Sequence, residues 1–185
     1  MTGDKYMEFV KGGPTKPEIA TISLSKLQLT KNDVFADIGC GTGCISIMAS
    51  RVAAEVYAID SREEAINATR RNVESADINN ITIINGEAPL ALDVLPVLDC
   101  AFIGGTRNII SVLGVLEKKV QGRIVVNAVR LQTVATIIKT MQDRGFFEEA
   151  VHVQVAKSYP LADDIAFKPI NPVYIIVGDT QKEVP

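Results

Sequence analysis

The sequence predicts a single α/β domain, doubly wound around a mostly parallel seven-stranded sheet with an antiparallel strand near one edge. Three observations carry that prediction. Short, nearly all-apolar runs alternate with longer amphipathic stretches through residues 33–144, as expected of strands buried on both faces by crossover helices. The first apolar run passes into ADIGCGTGCISI (36–47), a glycine-rich turn between a strand and a helix. Beyond Gly145 two apolar runs follow with no helical stretch between them, so the sheet closes on antiparallel strands.

The bulk properties agree. A chain of 185 residues has the length of one domain. A domain of this size buries ~70% of the surface its unfolded chain exposes and needs neither disulfide nor metal to hold a core. A net charge of −3 and a pI near 5.3 argue against a protein that grips nucleic acid by bulk electrostatics. No apolar run reaches the ~20 residues of a membrane helix. The opening MTGDKYMEFVKGGPTK lacks an apolar core and carries acids, so a cytoplasmic protein is expected. Cys40, Cys44 and Cys100 are odd in number and lack C-x-x-C spacing, which reads as small, reduced, buried residues. No cluster has the composition of a metal site.

Taken in order, TKPE sets Thr15 as the cap of a first helix, with Glu18 as its capping-box partner and Pro17 in the first turn. Ile19, Ile22, Leu24 and Leu27 give that helix its apolar stripe. DVFADI (33–38) is a strand, followed by a helix from about Gly43 to Ala53. EVYAID (55–60) is a strand and residues 62–76 form a helix with a clean polar face. ITIIN (81–85) precedes a short helix near 89–94, and LDCAFI (98–103) precedes a helix over 108–119. RIVVNA (123–128) leads to a helix over 131–144 that Gly145 stops. Strands over 148–156 and 172–178 complete the sheet.

Ligands of open α/β sheets bind outside the carboxyl ends of the strands, where the glycine turn lies. Gly39, Gly41 and Gly43 follow G-x-G-x-G spacing; the third glycine of a dinucleotide fingerprint would fall at position 44, which is Cys44. A dinucleotide seats its pyrophosphate on a helix N-terminus, whereas a nucleoside ligand without phosphate needs only a turn that closes around its middle. Asp60 ends the second strand, where a carboxylate accepts both hydroxyls of a ribose. Asp37, just before the turn, favours a cationic group and disfavours a pyrophosphate. A nicotinamide-dependent oxidoreductase stays open on these residues alone.

The glycine turn, the two acids and the helix-free end of the sheet resemble the class I S-adenosylmethionine methyltransferases, a Rossmann-like fold, from residue 33 onward. That resemblance places NGEAP (85–89) beside the adenine, with backbone around Glu87 and Ala88 reading its edge. The fourth strand leads into FIGGTRN (102–108), without the N-P-P-Y type of motif that amine-methylating members carry there. A tRNA adenine methyltransferase remains an alternative, disfavoured by the acidic pI and by the lack of a basic, aromatic-rich strand-binding surface.

A narrower resemblance spans roughly residues 8–178. GGPTKPEI (12–19), DIGCGTG, VYAID, NGEAP, FIGG, GRIVVNAV (122–129) and NPVYII (171–176) are similar, in order, to the cobalt-precorrin C(15)-methyltransferase (decarboxylating) family of anaerobic cobalamin biosynthesis. It implies methylation of a corrin meso carbon coupled to loss of CO2 from a ring acetate. It also implies cofactor contacts from Thr15, the turn Gly39, Cys40, Gly41, Thr42 and Gly43, and Asp60 and Ala88, with Asp37 and Glu87 beside them. Residues 1–30 would then cover the site and 33–178 form the core. Members of the family assemble as homotetramers, and a separate C(5)-methyltransferase becomes a candidate partner. The chain departs from the family pattern at Thr106, Arg107, Asn108 and Gln132.

The substrate of such an enzyme is a polycarboxylate, so cations at the mouth of the site are expected. Arg107 and Arg130 follow strands four and five and are the principal candidates for bidentate carboxylate contacts, with Lys16 and Lys168 behind them. Gly104 and Gly105 would leave room for a flat macrocycle, and Asn127 would donate to it. The one histidine, His152, reads as structural.

Overall fold

The structure, a computed structural model, describes residues 13–182. Its elements are α1 (Pro17–Leu27), β1 (Val34–Ile38), α2 (Cys44–Ala49), β2 (Glu55–Asp60), α3 (Glu63–Ser75), β3 (Ile81–Asn85), α4 (Ala88–Asp93), β4 (Cys100–Ile103), α5 (Ile109–Lys119), β5 (Arg123–Ala128), α6 (Leu131–Asp143), β6 (Phe147–Val153), β7 (Ala156–Leu161), β8 (Asp164–Pro169) and β9 (Val173–Asp179). Seven strands form one sheet in the order β3-β2-β1-β4-β5-β9-β6. The first five of these run parallel, while β9 pairs antiparallel with both β5 and β6. The antiparallel strand near the edge is therefore β9, inserted between its sequence predecessors.

Alternation along the strands splits the core between two faces. Cys100 and Phe102 of β4 join Phe35, Val56, Val125, Ile175 and Val177 under α1 and α2. Ala101 and Ile103 face the other way, joining Ile124, Val126 and Ile176 under α4, α5 and α6. Each fully buried Leu or Ile contributes ~2 kcal/mol, and Leu92, Leu113, Leu116, Ile124 and Ile137 are wholly enclosed. Gly145, at φ 79°, stops α6 as expected. The amide of Phe146 bonds the Met141 carbonyl and that of Gly145 the Gln142 carbonyl, a Schellman motif with Phe146 and Met141 in one cluster.

Two expectations are corrected. Thr15 and Glu18 do not form a capping box: α1 is capped by Lys16, in extended conformation with no side-chain bond to the helix. Pro17 is the reason, because a residue before proline is driven out of the helical region and must itself be the boundary. Glu18 instead pairs with Lys157 at 2.7 Å. The end of the chain holds four strands rather than two: the strand expected over 148–156 stops at Val153, and Ala156 opens a separate ribbon of β7 and β8. Residues 1–12, with Gly12 of the GGPTKPEI segment and the first twelve residues of the stretch read for a leader, lie outside the described residues.

Strand order reverses between β1 and β4, whose neighbours diverge to β2 on one side and β5 on the other. That switch point opens a crevice at the carboxyl ends of the strands.

Candidate functional site

The turn after β1 is held from three directions. The amides of Gly39 and Cys40 both donate to the Ile59 carbonyl, at 2.8 and 3.0 Å, tying the turn to β2. From α3, Thr69 Oγ1 donates to the Gly41 carbonyl (3.0 Å) and Asn72 Nδ2 to that of Thr42 (2.9 Å). Gly39, Gly41 and Gly43 all take positive φ. Gly39 has a second reason to lack a side chain: a Cβ there would lie 2.7 Å from the Gly105 amide nitrogen. The double glycine after β4 thus closes against the glycine turn, backbone on backbone, before any ligand enters. At Gly41 a Cβ would meet nothing within 4 Å, so that position faces open space.

That space is a cavity of ≈ 380 Å³. Thr15, Asp37, Gly39, Cys40, Gly41, Thr42, Asp60, Glu87, Ala88, Gly105 and Arg107 all line it. Gly43 does not; its missing side chain makes room for the Thr69 methyl, 2.9 Å from where a Cβ would stand. A second cavity of ≈ 360 Å³ shares Thr15 and Gly104 with the first and is walled by Lys16, Ile19, Asn127, Val129, Arg130, Thr133, Ile170 and Asn171. The predicted cations therefore separate. Arg130 and Lys16 stand on the second cavity, while Arg107 stands on the first and reaches Glu87 at 3.6 Å across its rim. Lys168 lines neither; it lies on β8, opposite Lys157.

Asp37 is 1% exposed, and one oxygen accepts from Ser46 at 2.5 Å. Burial pushes its carboxyl up to about 7, against the Ser46 bond and with the Asp60 charge adding to the rise. Its Oδ1 and the hydroxyl of buried Thr42 have no partner among the described residues. Asp60, 5% exposed, is fully engaged: Gly41 N (3.1 Å) and one terminal nitrogen of Arg62 (3.0 Å) meet Oδ2, and Arg62 N (3.0 Å) and Nε (3.1 Å) meet Oδ1. Burial alone would raise its pKa; the Arg62 and Gly41 bonds outweigh that and hold it lowered. Burial drives the Cys40 thiol well above its usual range, with Asp37 adding to the effect, which keeps it in the protonated, weakly nucleophilic form.

Asn127 straddles Ser23 of α1, with Nδ2 2.9 Å and Oδ1 3.1 Å from the hydroxyl, which also reaches the Ile19 carbonyl at 2.9 Å. The first helix thereby fixes a carboxamide on the wall of the second cavity. His152 lines neither cavity and stacks on Tyr174 at 4.3 Å, a structural position. Among the described residues no group of acids, histidines and cysteines has the form of a metal site.

Sequence reasoning missed Arg62, Ser46, Thr69 and Asn72. Thr69 and Asn72 carried a signal, since both fall on the apolar stripe of α3 beside Ala65, Ile66, Ala68 and Val73. A polar residue on a buried stripe must have a partner, and theirs is the glycine turn. Arg62 carried none beyond standing two residues after the strand-end acid. The arrangement suits a ligand with a cationic group for Asp37, and with hydroxyls for Asp60 only where the Arg62 guanidinium gives way, beside a second cavity for an anionic, partly apolar molecule.

The precorrin methyltransferase domain family matches residues 8–178. A probable cobalt-precorrin-6B C(15)-methyltransferase (decarboxylating) from Methanosarcina mazei is 50% identical over 177 residues, 93% of this chain and 96% of that protein. Among solved structures, precorrin-6Y C5,15-methyltransferase from Geobacter metallireducens superposes with a TM-score of 0.90 at 32% identity, covering 95% of this chain and 96% of the other. Precorrin 8W decarboxylase from Methanobacterium thermoautotrophicum gives 0.89 at 30% identity, covering 93% and 96%.

Proposed function

Because the chain belongs to the precorrin methyltransferase family, we propose that it methylates C(15) of a cobalt-precorrin, with decarboxylation of a ring acetate, in cobalamin biosynthesis in the cytoplasm. The observation that carries the reading is the pair of adjoining cavities, one lined by the glycine turn and two buried carboxylates, the other by Lys16 and Arg130. S-adenosylmethionine suits the first: Asp37 Oδ1 and the Thr42 hydroxyl are buried without partners, and the open space at Gly41 admits a ligand against bare backbone. When bound, this cofactor supplies a methyl group already activated by its sulfonium.

The chain's own residues then orient and enclose. Asp37 holds the ammonium group, Asp60 the ribose hydroxyls, and backbone at Glu87 and Ala88 the adenine edge. Gly39, Cys40, Gly41 and Thr42 embrace the middle of the cofactor. Gly43 contributes by letting α3 close on the turn. Thr15, on the wall of both cavities, covers the junction. Arg130 and Lys16 pair with peripheral carboxylates, Val129 and Ile170 meet the apolar ring, Asn127 donates to it, and Gly104 leaves room for it at the passage. Arg107 serves the cofactor cavity rather than the substrate. The meso carbon draws its nucleophilicity from the conjugated ring nitrogens, so no protein base is required; the electron pair of the breaking acetate bond enters the same conjugated system. Positioning and exclusion of water are the protein's contribution.

A homo-oligomer, a tetramer on the family resemblance, is part of the same reading, and the exposed apolar β7–β8 ribbon supports it. Incubation with the cobalt-precorrin substrate and S-adenosylmethionine, read by mass, tests the function. A methyl gained and CO2 lost is the expected product; an unchanged macrocycle in the presence of folded, cofactor-binding protein refutes it.

A further inference from the structure

The carboxylate proposed to receive the ribose has no acceptor capacity to spare. A carboxylate offers about four lone-pair sites, and Asp60 meets four N–H donors: the amides of Gly41 and Arg62, and two nitrogens of the Arg62 guanidinium. The two amides are fixed by the turns that carry them. The guanidinium rides on a flexible side chain that is 41% exposed, against 5% for Asp60. Both groups line the first cavity.

We propose that Arg62 is a latch: its guanidinium holds the ribose-binding positions of Asp60 in the ligand-free protein and must swing aside when the adenosyl ligand enters. The inference rests on the cofactor reading above. While latched, Arg62 keeps a buried carboxylate compensated and ionised, so the acceptor is preset for hydroxyl donors. Ligand hydroxyls take over the oxygens only by breaking a two-pronged, charge-assisted contact, and a ligand without them leaves the contact intact. Arg62 thus weakens binding of every adenosyl ligand that carries the ribose hydroxyls by the cost of opening, and acts through Asp60 rather than on the reacting atoms. Because the guanidinium is half in solvent, salt screens the contact and eases opening.

The test compares S-adenosylhomocysteine with its 2′,3′-dideoxy analogue by calorimetry on wild-type protein and Arg62→Ala. The latch predicts that Arg62→Ala binds S-adenosylhomocysteine tighter by roughly three- to tenfold, the range of a partly exposed charged contact. The gain should shrink as salt rises and be absent for the dideoxy analogue. Equal or weaker binding of S-adenosylhomocysteine by the variant overturns the latch, as does an equal gain for both ligands. Should Arg62→Ala fail to fold, Arg62→Gln removes the charge, keeps most of the stem and carries the same comparison. A wild-type protein that binds no S-adenosylhomocysteine refutes the cofactor reading itself and takes the latch with it; one that binds it while the variant gains nothing refutes the latch alone.

Discussion

At the scale of single residues, the protein spends stability on Asp37. The folded chain keeps its proton up to about pH 7, whereas the unfolded chain loses it near the ordinary value of 3.8. Between those limits the folded state binds more protons, so this group makes stability fall as pH rises, and the full cost is present above pH 7. An ammonium placed against the unpartnered Oδ1 would reverse the balance by favouring the charged form. Asp37→Asn keeps an acceptor for Ser46 and removes the buried charge. Its thermal midpoint should exceed that of wild type at pH 8 and match it near pH 4, while its affinity for S-adenosylmethionine falls by about tenfold or more, the worth of a lost charged hydrogen bond. Calorimetric melts and titrations at the two pH values check both halves. Unaltered affinity would remove Asp37 from the ammonium contact.

At the scale of elements, the site depends on two loops that close on each other, and its glycines divide by what they face. Gly39→Ala places a methyl into the Gly105 backbone and should cost about 2–4 kcal/mol, strain at positive φ added to a clash that only backbone movement relieves. Gly41→Ala meets no protein atom; it should cost only about 1–2 kcal/mol of left-handed strain and lose cofactor affinity instead. Denaturant melts beside S-adenosylhomocysteine titrations separate the two, and a Gly41→Ala protein that binds normally would show that the ligand stays clear of the turn. Such division was partly legible beforehand. Strands β1 to β5 were readable because burial on both faces demands continuous apolar runs such as VFADI and RIVVNA. The glycine turn was readable because positive φ demands glycine. The closing of Gly104 and Gly105 on Gly39, and the seating of Thr69 against Gly43, are contacts between distant segments that no local pattern records. The ribbon of β7 and β8 escaped notice because it buries little: Pro160 and Pro169 interrupt its strand pattern, and nearly every residue in it is exposed.

At the scale of the whole molecule, the first cavity draws mainly on successive strand ends and the second on residues from Gly13 to Val173. The first was therefore open to motif reading and the second depended on resemblance. The same scale exposes what the core leaves uncovered. In the ribbon, Phe167 opposes Ser158 and Ile165 opposes Pro160, and Ala156 opposes Pro169. Directly opposed residues share a face, so one side is almost wholly apolar, with Phe167 69% and Ile165 67% exposed. Neither outer edge of the ribbon pairs with another strand among the described residues, and an isolated two-stranded sheet is marginal in water. The other face is anchored, since Lys157 reaches Glu18 of α1. A second copy brings the same apolar face in the same orientation, and a self-complementary patch is what a two-fold interface requires. The proposed homo-oligomer thus predicts that Phe167→Glu combined with Ile165→Glu lowers the mass measured by sedimentation equilibrium. Neither side chain belongs to either core cluster or lines either cavity, so S-adenosylhomocysteine should still bind the smaller species. A wild-type protein that sediments as a monomer refutes the oligomer, and a variant that keeps the wild-type mass moves the interface away from the ribbon.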